Sequence, residues 1–397
     1  VAQTADLVVV GAGIAGASVA FFAADAGLRV TVVEQGLPGG GASGRTAGYI
    51  RCHYANPHEA HFAVEGWKIH RRWAEVVGGQ NGFRPNGFLF IVPPALVPTL
   101  EKNVARMREM GVDTVCLDGH GVREVQPFLR TDDIGGAAWE PESGFADPSD
   151  SIASLLAGLR ARGGRVISDV GPVHLLRVGD RVTGVRAGSD EVACACLVLA
   201  AGAGTRELAA QVGLDLPVFP MPIGAGLLRR QVPVDALIPA CTIDHVTEQW
   251  FRGEIGGDLV VGAGYEDSIG FTGEPFHGKR DFAPPTADEL VAGAAKLIGR
   301  IPDLERAAPG RTWVGLDSRT PDGHAIAGPL PALGGVYALT GGNGKGFKLG
   351  PSMGRELARV VAGARFDASP LAPFGLDRYR TGRPIRGEHE YAWGSFA

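Results

Sequence analysis

Apolar side chains recur along this chain in two rhythms, and their order predicts most of its elements. Residues 6–10, DLVVV, form a β-branched apolar run that enters Gly11-Ala12-Gly13-Ile14-Ala15-Gly16 and then an alanine-rich stretch to about Ala26. That order predicts a strand, a tight turn and a helix. A second strand, Arg29 to Val33, ends in Glu34. Farther on, residues 165–167 predict a strand, 173–185 a hairpin turning at Gly179-Asp180, and Cys196 to Ala200 a buried strand that again runs into glycines. Val336 to Thr340 leads into Gly341-Gly342-Asn343-Gly344-Lys345-Gly346, after which Leu349, Met353, Leu357 and Val360 keep helical spacing. One more strand, turn and helix therefore lies late in the chain. Phe62, Ile69, Trp73 and Val76 mark an amphipathic helix. Val246 to Arg252 and Leu259 to Ala263, separated by Gly256-Gly257, predict a hairpin.

The first of these units has the chemistry of a phosphate cradle. Gly11 permits a tight turn, Gly13 lets the backbone approach a pyrophosphate, and Gly16 allows the helix to pack closely on its strand. The amides at the helix start, from Ile14 and Ala15 onward, hold phosphate charge. Glu34 accepts hydrogen bonds from ribose hydroxyls and repels a 2′-phosphate. The unit therefore predicts a dinucleotide, and by itself it does not separate FAD from NAD. Gly39 to Gly48, which contains Ala42, Ser43, Gly44, Arg45 and Thr46, offers backbone and hydroxyl groups for an extended cofactor. The helix start near Gly346 adds a second set of positive backbone dipoles.

Composition narrows the class. A chain of 397 residues exceeds one ordinary hydrophobic core, so two domains, interleaved or in series, are expected. With 45% hydrophobic and 20% charged residues it is a folded globular chain. The 38 basic and 43 acidic side chains are mixed along the sequence, which leaves no basic face for nucleic acid. Five scattered cysteines make no disulfide framework, and a reducing compartment is expected. No apolar run reaches the length of a membrane-spanning helix, so membrane insertion is not expected and a cytoplasmic location is. Cys52, His53, His58 and His61 crowd together, but His58 and His61 read as the start of the amphipathic helix, and no metal site is expected.

Several ordered motifs together carry a resemblance. GAGIAGAS with Glu34, GASGRTAG, Phe145-Ala146-Asp147-Pro148, the Gly179 to Val185 hairpin, LVLAAGAG, GLDSRTPDGHAIAG and GGNGKGFKLGPSMG span nearly the whole chain. The sequence resembles the D-amino-acid oxidase superfamily of FAD-dependent oxidoreductases, in particular its sarcosine oxidase-like and D-amino-acid dehydrogenase-like branches. The resemblance implies an α/β fold: a Rossmann-type FAD-binding domain interleaved with an α+β substrate domain whose antiparallel sheet covers the flavin. The implied division is 1–80, 145–215 and 310–397 for FAD, and 81–144 and 216–309 for substrate. Gln35, Val170, Ala201, Gly202, Gly344, Gly346, Phe347 and Lys348 join the cofactor contacts already named.

At the substrate end, extended geometry puts Tyr49, Arg51 and His53 on one face. The resemblance implies that Arg51, with Lys348 as its companion, grips a substrate carboxylate, which suits a planar guanidinium fork and an ammonium. Related oxidases carry a carboxylate arginine in a Gly-Leu-Arg-Pro motif. Gly315-Leu316-Asp317-Ser318 stands there instead, which makes Asp317 a candidate partner for a cationic group of the substrate. Trp250, Tyr49, His53 and His324 are further candidates for the pocket. The cysteine that tethers flavin in monomeric sarcosine oxidases has no counterpart between Trp313 and His324, so FAD is expected to be non-covalent. No lysine lies between Lys102 and Lys279, and Val260 stands roughly where an oxygen-activating lysine is expected. Oxygen and another electron acceptor therefore both stay open. The expected reaction is oxidation of the C–N bond of an amino acid or N-alkyl amino acid to an imine, by hydride transfer to flavin N5. Dehydrogenation of a hydroxy acid and FAD binding without catalysis are the alternatives.

Overall fold

The computed structural model describes residues 3–233, 236–265, 283–331 and 333–391. Lys279 lies outside them. The apolar run that opens the chain becomes the strand Gln3–Val10, with parallel neighbours Val30–Val33 and Asp190–Leu199. The sheet continues to Arg165–Ile167 on one side and, on the other, to Val336–Thr340 and the antiparallel Ile326–Pro329. The hairpin Val173–Val178 and Arg181–Ala187 pairs onto Asp190–Leu199. Leu7, Val8 and Val9 are wholly buried, as a central parallel strand covered on both faces must be. The register Val10 to Val33 and to Leu199 brings the carboxyl ends of these strands level, which is where α/β sheets bind ligands.

The helix Ile14–Asp25 is apolar nearly all round, and it is buried between this sheet and the helices Gly346–Val361 and Pro148–Ala161. The close approach to Gly346–Val361 depends on glycine. A Cβ at Gly354 would lie 2.6 Å from the Ser18 Cβ, and one at Gly350 would lie 3.1 Å from Ile14. Gly354→Val is therefore expected to destabilise the protein by about 1–3 kcal/mol through overpacking, measured as a lowered urea midpoint.

A second eight-stranded sheet runs in the order Ala308–Arg319, Phe219–Arg229, Leu259–Gly262, Gln249–Gly253, Cys241–Asp244, Phe88–Val92, Gly136–Glu140, Val115–Leu117. Its pairs are antiparallel except for Cys241–Asp244 against Phe88–Val92. The expected hairpin is present, but its first arm begins at Gln249, not Val246. The Asp244 carboxylate accepts from the Val246 and Thr247 N–H groups, and Glu248 takes φ 55°, so residues 245–248 form a turn. The twelve-residue strand Ala308–Arg319 also passes straight through position 310, where a domain boundary was expected. It pairs with Phe219–Arg229 along its length, and its end meets the loop that follows Val336–Thr340 of the first sheet. There Ser318 O accepts from Asn343 N–H at 3.0 Å, and Asn343 Oδ1 accepts from Thr320 N–H at 3.0 Å. A short pair, Tyr49–Ile50 with Gly144–Phe145, makes a further link.

Candidate active site

The glycine turn after Gln3–Val10 is fixed by geometry that only glycine meets. Gly11 has φ +106°, and a Cβ there would lie 2.4 Å from the Ala200 carbonyl oxygen. The turn aims its amides at two side chains. Ala12 N–H donates to Glu34 Oε2 at 2.7 Å, Gly36 N–H to Glu34 Oε1 at 3.0 Å, and Ile14 N–H to Ser43 Oγ at 3.0 Å. Glu34 is thus locked at the end of its strand, and the loop that carries Ser43 is drawn over the helix start.

From this turn a cavity of about 770 Å³ runs between the two sheets to Trp250. Its wall includes Gly13, Ile14, Ala15, Glu34, Gln35, Ala42, Ser43, Arg45, Thr46, Ala201 and Gly202, then Gly344, Gly346, Phe347 and Lys348, together with Tyr49, Arg51, Asp317 and Trp250. Five expected residues, Gly16, Gly44, Val170, His53 and His324, stand outside the wall. Gly16 and Gly44 act through backbone packing: a Cβ on the first would lie 1.9 Å from Gly11 O, and on the second 2.4 Å from Gly39 O. Val170 packs into the core beneath the sheet while its neighbours Asp169 and Gly171 donate to Gly36 O and Gln35 O, so Pro172 and Val173 reach the wall in its place. His53 is wholly buried behind Arg51. The strand ends at Ile50, so the alternation that was to put His53 beside Tyr49 stops short.

Arg51 and Lys348 are 2% and 5% exposed and belong to one wall. The Arg51 guanidinium donates to the His53 carbonyl and lies 4.1 Å from the centre of the Tyr54 ring and 5.2 Å from that of Phe88. These faces hold a cation in an apolar setting. Lys348 Nζ lies 6.0 Å from the Tyr54 ring centre and 3.5 Å from Gly344 O, with no carboxylate partner among the described residues. Burial, then the nearby charges of Arg51 and Lys345, push the Lys348 pKa well below that of an ordinary lysine. Tyr49 and Trp250 meet edge to face, with ring centres 6.1 Å apart. The Tyr49 hydroxyl donates to the carbonyls of Phe251 and Thr242, so its ring, not its O–H, is what it offers the cavity.

Asp317 faces the cavity with Arg319 Nε 3.1 Å from Oδ2. Burial raises its pKa and Arg319 opposes that rise. Its ion partner is thus supplied from within the chain. A second buried pair escaped the sequence reading. Lys345 Nζ and His324 Nδ1 lie 2.6 Å and 2.9 Å from the same oxygen of Glu59, which is 1% exposed, and Lys345 donates to Gly323 O at 2.8 Å. Glu59 and Lys345 line the cavity, whereas His324 stands behind them. Lys345 lies within the glycine-rich motif that the sequence reading singled out; Glu59 had no signal beyond its place in a helix's first turn. His245 was missed as well. It lines the cavity, and burial lowers its pKa to about 4. Among the described residues no group of three or more His, Cys, Asp or Glu side chains is placed to hold a metal, and no helix is long and apolar enough to cross a membrane.

The glycine turn of one sheet and the second, largely antiparallel sheet of this mixed α/β fold thus share a cavity whose wall holds the buried cations Arg51, Lys345 and Lys348. The chain belongs to the DAO family, described as FAD dependent oxidoreductase, which it matches over residues 6–360. It is 29% identical over 374 residues to 4-methylaminobutanoate oxidase (formaldehyde-forming) of Paenarthrobacter nicotinovorans, covering 92% of this chain and 44% of that protein. It thus spans less than half the length of that relative. It is 27% identical to sarcosine oxidase subunit beta of Arthrobacter sp, covering 96% and 92% of the two chains. The fold matches that of L-proline dehydrogenase from P. horikoshii with a TM-score of 0.86 at 22% identity, over 97% of this chain and all of that one.

Proposed function

We propose that the chain oxidises the carbon–nitrogen bond of a small amine that bears a carboxylate, using FAD held without a covalent link. The observation that carries this reading is the pair Arg51 and Lys348, two buried cations in the wall of the cavity that the nucleotide cradle opens into. Two like charges out of water are costly, and an anion bound between them offsets that cost. A carboxylate on an arginine fork and an ammonium is such an anion. The names of the relatives, 4-methylaminobutanoate oxidase and sarcosine oxidase subunit beta, support an amine.

The residues present fit FAD. The turn around Gly11 leaves no room for a Cβ, Glu34 is fixed at the end of its strand as a ribose-binding acid would be, and the wall contains no cysteine among the described residues. FAD bound there supplies the two-electron acceptor for the hydride leaving the carbon that bears nitrogen, and the resulting imine then hydrolyses. Arg51 and Lys348 orient the substrate by its carboxylate, the faces of Tyr49 and Trp250 pack against its apolar part, and the second sheet keeps bulk water out. An amine entering neutral needs no side-chain base. Val260 is buried in the strand Leu259–Gly262, away from the cavity wall, and gives no positive charge for oxygen activation.

Mixing the FAD-loaded protein anaerobically with D-, L- and N-methyl amino acids, and then admitting air, tests the reading. A carboxylate-bearing amine should bleach the flavin, and the matched amine without its carboxylate should not. Bleaching by hydroxy acids alone, or by none of these compounds, overturns the proposal. The rate of recovery in air separates an oxidase from a dehydrogenase.

A further inference from the structure

We propose that Tyr391, on the segment that follows the last helix Asp377–Arg380, is a positioning residue for the Arg51 end of the carboxylate clamp. The inference rests on the function proposed above. The segment crosses from one half of the molecule to the other by a series of fixed points. Ile385 N–H donates to Asp322 at 3.1 Å, where Arg378 is also bound, and Asn56 Nδ2 donates to Arg386 O at 3.0 Å. Glu388 pairs with Arg106 at 3.2 Å, and Asn103 Nδ2 donates to His389 O at 3.0 Å. Arg106 and Asn103 belong to the helix Val97–Glu109, which packs against the second sheet.

These contacts insert the Tyr391 ring, 4% exposed, between three aromatic side chains. Its centre lies 4.8 Å from that of Phe90 and 6.0 Å from that of His245, with which it stacks at 19°. Its hydroxyl is 2.8 Å from His53 Nε2. His53 Nδ1 has no partner among the described residues, so Tyr391 supplies the hydrogen bond that sets the imidazole's orientation. The His53 backbone carbonyl in turn receives the Arg51 guanidinium. Hydroxyl, imidazole, carbonyl and guanidinium thus form one buried chain of contacts ending at the cavity. Burial, then the charge of Arg51, lowers the His53 pKa to about 3, so the imidazole is neutral and has one donor and one acceptor nitrogen. Removing the hydroxyl leaves a buried imidazole nitrogen without its bond, and rotation of the ring to regain one disturbs the carbonyl that holds Arg51.

Tyr391→Phe keeps the ring packing and removes only the hydroxyl. Propionate titrated into the FAD-loaded protein, followed by the change in flavin absorbance, reads carboxylate binding without turnover. The Kd should rise about tenfold in Tyr391→Phe, with FAD retained, and the rate of flavin reduction at saturating amine should stay within about twofold of wild type. In an Arg51→Ala background the same substitution should cause no further rise, because the two side chains act through one path. If Tyr391→Phe leaves the propionate Kd unchanged, or raises it equally with Arg51 absent, the positioning role is overturned while the clamp stands. If wild type shows no saturable response to propionate, the clamp itself falls, and this inference with it.

Discussion

Arg51→Ala is expected to raise the amine concentration that half-saturates anaerobic flavin reduction by about 30- to 1,000-fold, with FAD still bound. Loss of a desolvated, charge-assisted contact costs on the order of 2–4 kcal/mol, and each 1.4 kcal/mol is a factor of ten. FAD should remain because the fixed features of its cradle, Glu34, Ser43 and the Gly11 turn, are held by contacts that do not involve Arg51. A pH profile gives the result a second signature. Burial, followed by Arg51 and Lys345, depresses the pKa of Lys348, so its ammonium is fully present below that lowered value and is lost as pH rises through it. Carboxylate affinity should therefore fall as pH rises, well before the range of an ordinary lysine. In Arg51→Ala one neighbouring positive charge is gone, the Lys348 pKa rises, and this limb should move to higher pH. Rapid-mixing measurements of flavin reduction across pH check both. A variant with unchanged half-saturation and an unmoved limb would remove Arg51 from the site.

The features legible in the sequence are those enforced locally. Gly11 must take a positive φ against the Ala200 carbonyl, Glu34 must end a parallel strand, and the Leu349, Met353, Leu357 and Val360 spacing must bury one face of a helix. Such requirements leave a trace within a few residues of where they act. The features missed are products of distant packing. Glu59 and Lys345 meet only because the helices Pro57–Arg71 and Gly346–Val361 pack together, with a Cβ at Gly66 falling 2.2 Å from Lys348 O. His53 turns away from the cavity because Phe90 and Tyr391, from other parts of the chain, give it a better setting than alternation does. The strand Ala308–Arg319 crosses an expected boundary because apolar patterning records burial and does not record which sheet supplies it.

That distant pair carries the largest expected effect on stability. Burial alone would raise the pKa of Glu59, but Lys345 and then His324 outweigh it and bring the carboxyl down from 4.5 to about 2. Lys345 is shifted the other way for an ion pair: burial lowers its pKa more than Glu59 raises it. The contact of 2.6 Å, with the Gly323 carbonyl on the same ammonium, favours an ionised pair at neutral pH in which the acid gains and the base is strained. Because the folded-state pKa of Glu59 is depressed, its contribution of about 3 kcal/mol is present above pH 4.5 and drains away as pH falls toward 2. Glu59→Gln removes that contribution and leaves Lys345 buried without its counter-charge, which should cost about 3–5 kcal/mol in urea unfolding at pH 7. The acid limb of stability between pH 4.5 and 2 should flatten in the same variant. Adding Lys345→Met should restore much of the loss, since a neutral buried pair owes no desolvation cost. If Glu59→Gln unfolds at the wild-type midpoint, or Lys345→Met deepens the loss, the pair is not what holds the two helices together beneath the cavity.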